Sequence, residues 1–169
     1  MGFSVKIKSY RVVGIIKVAG SSISLTKPVR FEYCHTENSQ SMLVHRGFQL
    51  QYVAVRQIMR DYIRAKCAYY SPKEILITGH SLGGALATLC ALDLTLNPVP
   101  NQPQIKVYPI GSPRVGNDQF AACFDQHVEN CFRLKVAWDP VPTIPMEVLG
   151  FHHIGKEVIL REGNFLIIF

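Results

Sequence analysis

A serine between two glycines, at the junction of an apolar strand and an apolar helix, constrains this chain more than any other feature. The junction reads Gly79-His80-Ser81-Leu82-Gly83 and follows the apolar run Ile75-Leu76-Ile77. A serine on so sharp a strand-to-helix turn has a strained backbone, and glycines two positions away on each side leave the turn the room it needs. The start of the helix also offers free N–H groups to a developing oxyanion. The pattern predicts a nucleophile elbow at Ser81, with Gly79 and Gly83 as its glycines.

The context of the pentapeptide matters more than its spacing. Gly-x-Ser-x-Gly alone arises by chance in about one chain in twenty of this length, so an ordinary glycine-rich turn is the alternative. Here a short apolar strand precedes it, and from Leu82 an almost wholly apolar helix continues to a break at Asn97-Pro98. The context favours the elbow.

Length and composition predict one domain with a substantial core. The chain has 169 residues, of which 48% are hydrophobic, and we expect residues 1–169 to form a single domain. No stretch approaches the roughly 18 apolar residues of a membrane span, and the first residues lack the apolar region of a secretory signal. The five cysteines are odd in number, which favours a reducing, cytoplasmic location. A secreted chain that has lost its leader is the alternative.

The net charge of +6 does not point to nucleic acid. Arg56, Arg60 and Arg64 recur every fourth residue on one predicted helix, and a solvated helix face is the simplest interpretation. The stripe lacks the interleaved aromatic residues that single-stranded nucleic-acid binders use. We therefore expect no nucleic-acid partner.

The alternation of strand and helix patterns predicts an α/β fold: a mostly parallel central sheet flanked by helices, with an N-terminal antiparallel hairpin. A long amphipathic helix is expected over Gly47–Lys66. The expected strands are Phe3–Lys8, Arg11–Val18, Val29–Tyr33, the run at Ile75, Ile105–Ile110, Cys131–Ala137 and, as the last, Glu157–Leu160.

A serine nucleophile needs a histidine base and a carboxylate that orients the histidine. Where the elbow is built on a parallel sheet, the carboxylate and then the histidine follow the serine in the chain. Of the later carboxylates, Asp139 is the one that directly follows a predicted strand, in the turn Trp138-Asp139-Pro140, so we predict Asp139. His127 precedes Asp139 and breaks the order. Order alone leaves both His152 and His153 open.

Five segments together resemble the class 3 lipases, the fungal-type triacylglycerol lipase family on the α/β-hydrolase fold. They are Val44–Phe48, Gly79–Ala87, Gly111–Asn117, Asp139–Pro145 and Phe151–Glu157. The resemblance implies a serine hydrolase of lipid esters that acts at a lipid–water interface and needs no metal or organic cofactor. It implies that His153, and not His152, is the catalytic histidine.

The resemblance also implies an oxyanion hole made by Ser21 and the N–H group of Leu82. Family members carry Arg-Gly-Ser or Arg-Gly-Thr where this chain has Ala19-Gly20-Ser21, so the arginine is absent. The chain is also shorter than usual for the family, either pared down or truncated. Two alternatives therefore stay open: an esterase or phospholipase on the same scaffold, and a member that binds lipid without turnover.

Overall fold

Strands and helices alternate along the chain as an α/β protein requires. The computed structural model describes residues 2–8, 12–17, 28–34, 41–101, 103–161 and 164–168. The strands of this part are β1 (Gly2–Lys8), β2 (Val12–Lys17), β3 (Pro28–Arg30), β4 (Leu43–His45), β5 (Glu74–His80), β6 (Gln104–Ile110), β7 (Asn130–Val136), β8 (Lys156–Arg161) and β9 (Asn164–Ile168). The helices are α1 (Arg46–Tyr70), α2 (Leu82–Leu96) and α3 (Asp118–His127).

The central sheet has the strand order β2-β1-β5-β6-β7-β8-β9. The strands β5, β6, β7 and β8 are parallel to one another. The hairpin of β1 and β2 extends one side of the sheet through antiparallel pairing of β1 with β5, and β9 pairs antiparallel with β8 on the other. Strands β3 and β4 form a separate small sheet. The predicted sheet and its N-terminal hairpin are confirmed.

Helix α2 is apolar on all sides because it lies between two layers. It packs against β1, β5 and β6 of the sheet and contacts both α1 and α3. Its residues from Leu82 to Leu94 are buried throughout. A helix buried on every face loses the polar stripe of a surface helix, which explains the nearly continuous apolar sequence after Ser81.

The basic stripe on α1 is not a solvated face, so that interpretation is wrong for two of its three arginines. Arg56 donates to both carboxylate oxygens of the buried Asp93 on α2, at 2.7 and 2.9 Å. Nη1 of Arg60 lies 3.4 Å from one of these oxygens. Tyr52 donates to the same carboxylate at 2.6 Å. A buried carboxylate needs such partners because water cannot solvate it. The arginines thus join α1 to α2.

The described structure differs from the sequence predictions in three elements. Glu157–Leu160 is not the last strand, because β9 follows it; β4 was not predicted at all; and α1 extends to Tyr70. All five cysteines lie in the described residues, and none of them forms a disulfide there. Among the described residues, no helix is long and apolar enough to cross a membrane.

Candidate active site

Ser81 occupies a strained turn between β5 and α2. Its backbone has φ 56° and ψ −124°, a conformation that a residue with a side chain rarely adopts, and the residue is only 4% exposed. Its N–H group donates to the carbonyl oxygen of Ile110, the last residue of β6, at 2.9 Å. Strain of this kind persists only where surrounding contacts hold it. The local geometry is that of an elbow.

The predicted elbow glycines lie on either side of this turn. Gly79 is in β5, where it pairs with Phe3 and Pro109 on the two neighbouring strands, and Gly83 is buried in the first turn of α2. The following glycine, Gly84, has the clearest steric role. A Cβ atom there would stand 2.7 Å from the Cβ atom of Ser112, in the loop after β6. A side chain at this position would push α2 away from the sheet.

The start of α2 presents its N–H groups beside the serine. The carbonyl of Ser81 accepts from Gly84 at 2.8 Å, which closes the first turn. Leu82 is the first residue of the helix, so its N–H group has no acceptor within the helix. That group is therefore available to an oxyanion. Ser21, the other predicted oxyanion residue, lies outside the described residues.

Asp139 lies three residues beyond the carboxyl end of β7, at the same edge of the sheet as Ser81. One carboxylate oxygen, Oδ1, accepts from the N–H group of Val141 at 2.9 Å and so holds its own turn. The other, Oδ2, faces Gly111, the residue directly after β6. Because β5, β6 and β7 are adjacent and parallel, their carboxyl ends bring Ser81 and Asp139 to the two sides of Gly111.

His153 is not brought to this pair. It precedes β8, whose first residue pairs with Phe132 near the beginning of β7. Its backbone therefore lies towards the amino-terminal edge of the parallel strands, while Ser81 and Asp139 follow carboxyl ends. The ring atom Nε2 is 2.8 Å from the carbonyl oxygen of Pro142. Since that carbonyl only accepts, Nε2 carries the hydrogen and donates.

The surroundings of His153 keep its ring neutral. Burial, followed by the positive charge of Arg133, lowers its pKa from 6.5 to about 3. Arg114 adds to this effect, whereas the bond to Pro142 and the carboxylate of Glu157 oppose it. A general base works best with a pKa near the working pH and a free lone pair towards the nucleophile. His153 has neither in this arrangement, so the geometry gives no support to its predicted role as the base.

Among the described residues, no histidine side chain is hydrogen-bonded to Ser81 or to Asp139. His80 and His152 have other surroundings. His80 is the last residue of β5, and its Nε2 is 3.5 Å from the point that a Cβ atom on Gly111 would occupy. His152 is exposed and donates its backbone N–H to Gly116 at 2.8 Å. Ser81 and Asp139 thus lie at one edge of the sheet, on either side of Gly111.

Sequence reasoning missed two contributors to the site. Gly111 has φ 53° and makes space for the carboxylate of Asp139. Arg114 donates from Nη1 to the carbonyls of Thr143 and Pro145, at 2.6 and 3.0 Å, and thereby binds the loop after Asp139. Both residues belong to Gly111–Asn117, one of the segments that carry the family resemblance. The spacing of residues in that segment does not indicate that it supports the loop after Asp139.

Comparison with known proteins identifies the family. The model of the family described as lipase (class 3) matches residues 20–149, which is well over half of the chain. This chain belongs to the class 3 lipase family. The match ends before His153 and includes both Ser81 and Asp139.

Individual lipases agree with this assignment. A secreted mono- and diacylglycerol lipase of Fusarium solani is 36% identical over 120 residues, covering 71% of this chain and 35% of that protein. A deletion mutant of the Rhizomucor miehei lipase in complex with its propeptide matches 92% of this chain and 50% of its own, with a TM-score of 0.75 and 30% identity. A triacylglycerol lipase structure described as having a serine protease triad as its catalytic centre has a TM-score of 0.70 and 33% identity, over 80% of this chain and 50% of its own.

These comparisons confirm the α/β-hydrolase fold and correct one prediction. The expected cytoplasmic location is wrong, since the Fusarium relative is named as a secreted lipase. The odd number of cysteines was therefore a poor guide to the compartment. The chain spans little more than a third of that relative and half of the matched lipase structures.

Proposed function

We propose that this class 3 lipase chain carries the nucleophile of an enzyme that hydrolyses carboxylic esters of lipids, acylglycerols first among them. The observation that carries the proposal is the placement of Ser81. The residue is strained at φ 56°, stands at the start of α2, and has the carboxylate of Asp139 across Gly111 at the same edge of the sheet. Strain, oxyanion donors and a carboxylate at one edge are the parts that acyl transfer to a serine requires.

The proposed reaction has two steps with a common tetrahedral geometry. Ser81 Oγ attacks the acyl carbonyl carbon while a histidine base takes its proton. The N–H group of Leu82, with Ser21 as the second donor, holds the oxyanion. Collapse of the tetrahedral intermediate breaks the ester bond to the alcohol. The alcohol takes the proton from the base and leaves, and the acyl group stays on Ser81. Water, activated by the same base, then releases the fatty acid and restores the serine. Asp139 stabilises the imidazolium that forms in each step.

The proposal assigns the nucleophile to Ser81 and the carboxylate to Asp139, and it does not depend on His153. A base must direct a lone pair at Ser81 Oγ, whereas Nε2 of His153 donates to Pro142. The alanine variants His152→Ala and His153→Ala extend the test to the base. Loss of all turnover in one of these alanine variants and also in the glutamine variant of the same residue would assign the base to that histidine.

The rim of the site favours lipid as the substrate class. Trp138, directly before Asp139, is 94% exposed, and Val136, the last residue of β7, is 57% exposed. Apolar side chains of this size around a catalytic edge suit contact with lipid at a lipid–water interface. Because the Fusarium relative is named as secreted, we place this reaction outside the cell.

Hydrolysis of p-nitrophenyl esters of increasing chain length tests the proposal, with wild type compared with Ser81→Ala and the fold of each checked by circular dichroism. We expect turnover of long-chain esters by the wild type and a loss of at least about 10³-fold in the variant. Equal rates in the two proteins would refute it. Turnover limited to acetate and butyrate would indicate an esterase, and preference for phospholipid a phospholipase. Lipid binding without turnover would indicate a non-catalytic member.

A further inference from the structure

Two side chains from other parts of the fold bind the loop that follows Asp139. His153 contacts it at the carbonyl of Pro142, and Arg114 contacts the carbonyls of Thr143 and Pro145. Arg114 also receives support from Glu147, at 2.9 Å, and its backbone N–H donates to Ile144. This loop contains three prolines, so it lacks N–H groups for a regular ladder. Its carbonyl groups therefore accept hydrogen bonds from side chains of other parts of the fold.

The contact of His153 lies close to the carboxylate along the chain. Asp139 Oδ1 accepts from Val141, and Pro142 is the next residue. A bond at the Pro142 carbonyl therefore fixes the second peptide after the one that orients the carboxylate. Pro142 is buried, so a shift of this carbonyl would have to move Asp139 or leave a polar group without a partner.

The charges around His153 favour the neutral ring, in which Nε2 carries the hydrogen that it donates to Pro142. Arg133 on β7 bonds the carbonyl of Ile154 and pairs with Glu157 on β8, at 3.2 Å. The positive charge of Arg114, which bonds the same loop, also acts on His153. A proton added to His153 would be repelled by these two guanidinium groups, while the carboxylate of Glu157 would compensate in part. The ring therefore stays neutral through the range in which an esterase works, with its hydrogen on the atom that faces Pro142.

We propose that His153 is a positioning residue for Asp139: it donates through Nε2 to Pro142 and so holds the turn that aims the carboxylate. The inference rests on the proposed function for its kinetic consequences. It does not require that His153 exchange a proton with substrate. It differs from the role that family resemblance implied for this residue, and the two roles make opposite predictions for a variant that keeps the N–H donor.

The test compares His153→Gln with His153→Ala. The glutamine amide N–H can reach the position of Nε2 but cannot act as a base. We expect His153→Gln to keep kcat within about threefold of wild type, and His153→Ala to lose about tenfold or more in kcat with KM unchanged. Rates are normalised to the folded fraction. His127→Gln is the matched control: His127 lies at the end of α3, bonds the carbonyl of Cys123 and takes no part in the site, so this variant should behave as wild type.

A pH profile separates positioning from simple loss of fold. A displaced Asp139 stabilises the protonated base less well, so the acidic limb of kcat/KM in His153→Ala should move to lower pH. A loss of folded protein alone would leave that limb in place and would overturn the proposal. Equal, nearly complete inactivation by glutamine and alanine would also overturn it, and would make His153 the base.

A second readout does not depend on turnover. The ring protons of His153, followed by NMR from pH 8 to 4.5, should keep their chemical shifts, because the ring does not titrate in this range. Titration near pH 6.5 would overturn the proposal even if the rates agreed. If Ser81→Ala hydrolyses esters as fast as wild type while the His153 shifts stay constant, the proposed function fails and the contact of His153 stands.

Discussion

The carboxylate of Asp139 lies so close to Gly111 that no side chain fits between them. A Cβ atom built on Gly111 would stand 2.7 Å from Asp139 Oδ2, well inside van der Waals contact. Gly111 also has φ 53° and follows the last residue of β6, to which Ser81 donates. One residue without a side chain thus lets the turn after β5 and the turn after β7 approach each other.

The first prediction concerns this residue. Gly111→Ala should lower kcat by about tenfold or more, because the new methyl group displaces Asp139, the carboxylate that stabilises the imidazolium in the proposed mechanism. The measurement is kcat on a soluble ester, with the folded fraction determined by circular dichroism.

Gly150→Ala is the matched control for Gly111→Ala. Gly150 also has positive φ, 79°, but a Cβ atom there meets nothing within 4 Å. Both variants therefore carry backbone strain of about 1 kcal/mol or more, and only Gly111→Ala crowds Asp139. A similar kcat in the two variants would contradict the steric role of Gly111.

The second prediction concerns the buried carboxylate between α1 and α2. Asp93→Ala should lower the free energy of unfolding by about 3–5 kcal/mol, because it leaves the guanidinium groups of Arg56 and Arg60 beside an apolar space. Urea denaturation measures the change. Tyr52→Phe removes one hydrogen bond of the same cluster and should cost about 1 kcal/mol. If Asp93→Ala also lowers the free energy of unfolding by only about 1 kcal/mol, water reaches the two arginines and the prediction is wrong.

The third prediction concerns acid stability. The pKa of His153 is lowered to about 3 in the fold, against 6.5 in an unfolded chain. Below pH 6.5 the unfolded chain therefore binds a proton that the folded protein does not, and the stability from this residue falls as pH falls. Between pH 6.5 and 5 the loss is about 2 kcal/mol.

Urea midpoints at pH 7, 6 and 5 measure this slope, with His153→Gln as the control that lacks the titrating ring. Ion pairs with Lys135 and Arg133 lower the pKa of Glu157 despite the opposing effect of burial. The contribution of Glu157 is therefore lost only below about pH 4.5 and is common to both proteins. An equal acid slope in wild type and His153→Gln would refute the prediction.

The elbow and its sheet could be predicted because their signals are local. Ser81 is preceded by a buried strand and followed by a buried helix. The strand appears in the sequence as a short apolar run and the helix as a longer one. The position of Asp139, in a turn after a strand, could be predicted because that strand is visible in the sequence; its catalytic role stays a prediction. The base could not be predicted from order. His153 comes after Asp139 in the chain but before β8, so parallel pairing places its backbone away from the carboxyl ends.

Long-range contacts explain most of what sequence could not show. Arg56 and Arg60 have the spacing of a solvated helix face, and only the packing of α2 brings Asp93 to them. Gly111 looks like any loop glycine until the carboxylate of a residue 28 positions later lies against it. Pairs so far apart in the chain are fixed by the fold and leave no periodic pattern.

Covalent trapping tests the central claim, that Ser81 is the nucleophile. Wild type and Ser81→Ala are incubated with a fluorophosphonate ester, which phosphonylates activated serines, and the adduct is located by mass spectrometry of peptides. Heat-denatured wild type controls for unspecific labelling. We predict one adduct on the native wild type, on the peptide that contains Ser81, and none on Ser81→Ala. An adduct on another residue of the native protein, or equal labelling of Ser81→Ala, would contradict the claim.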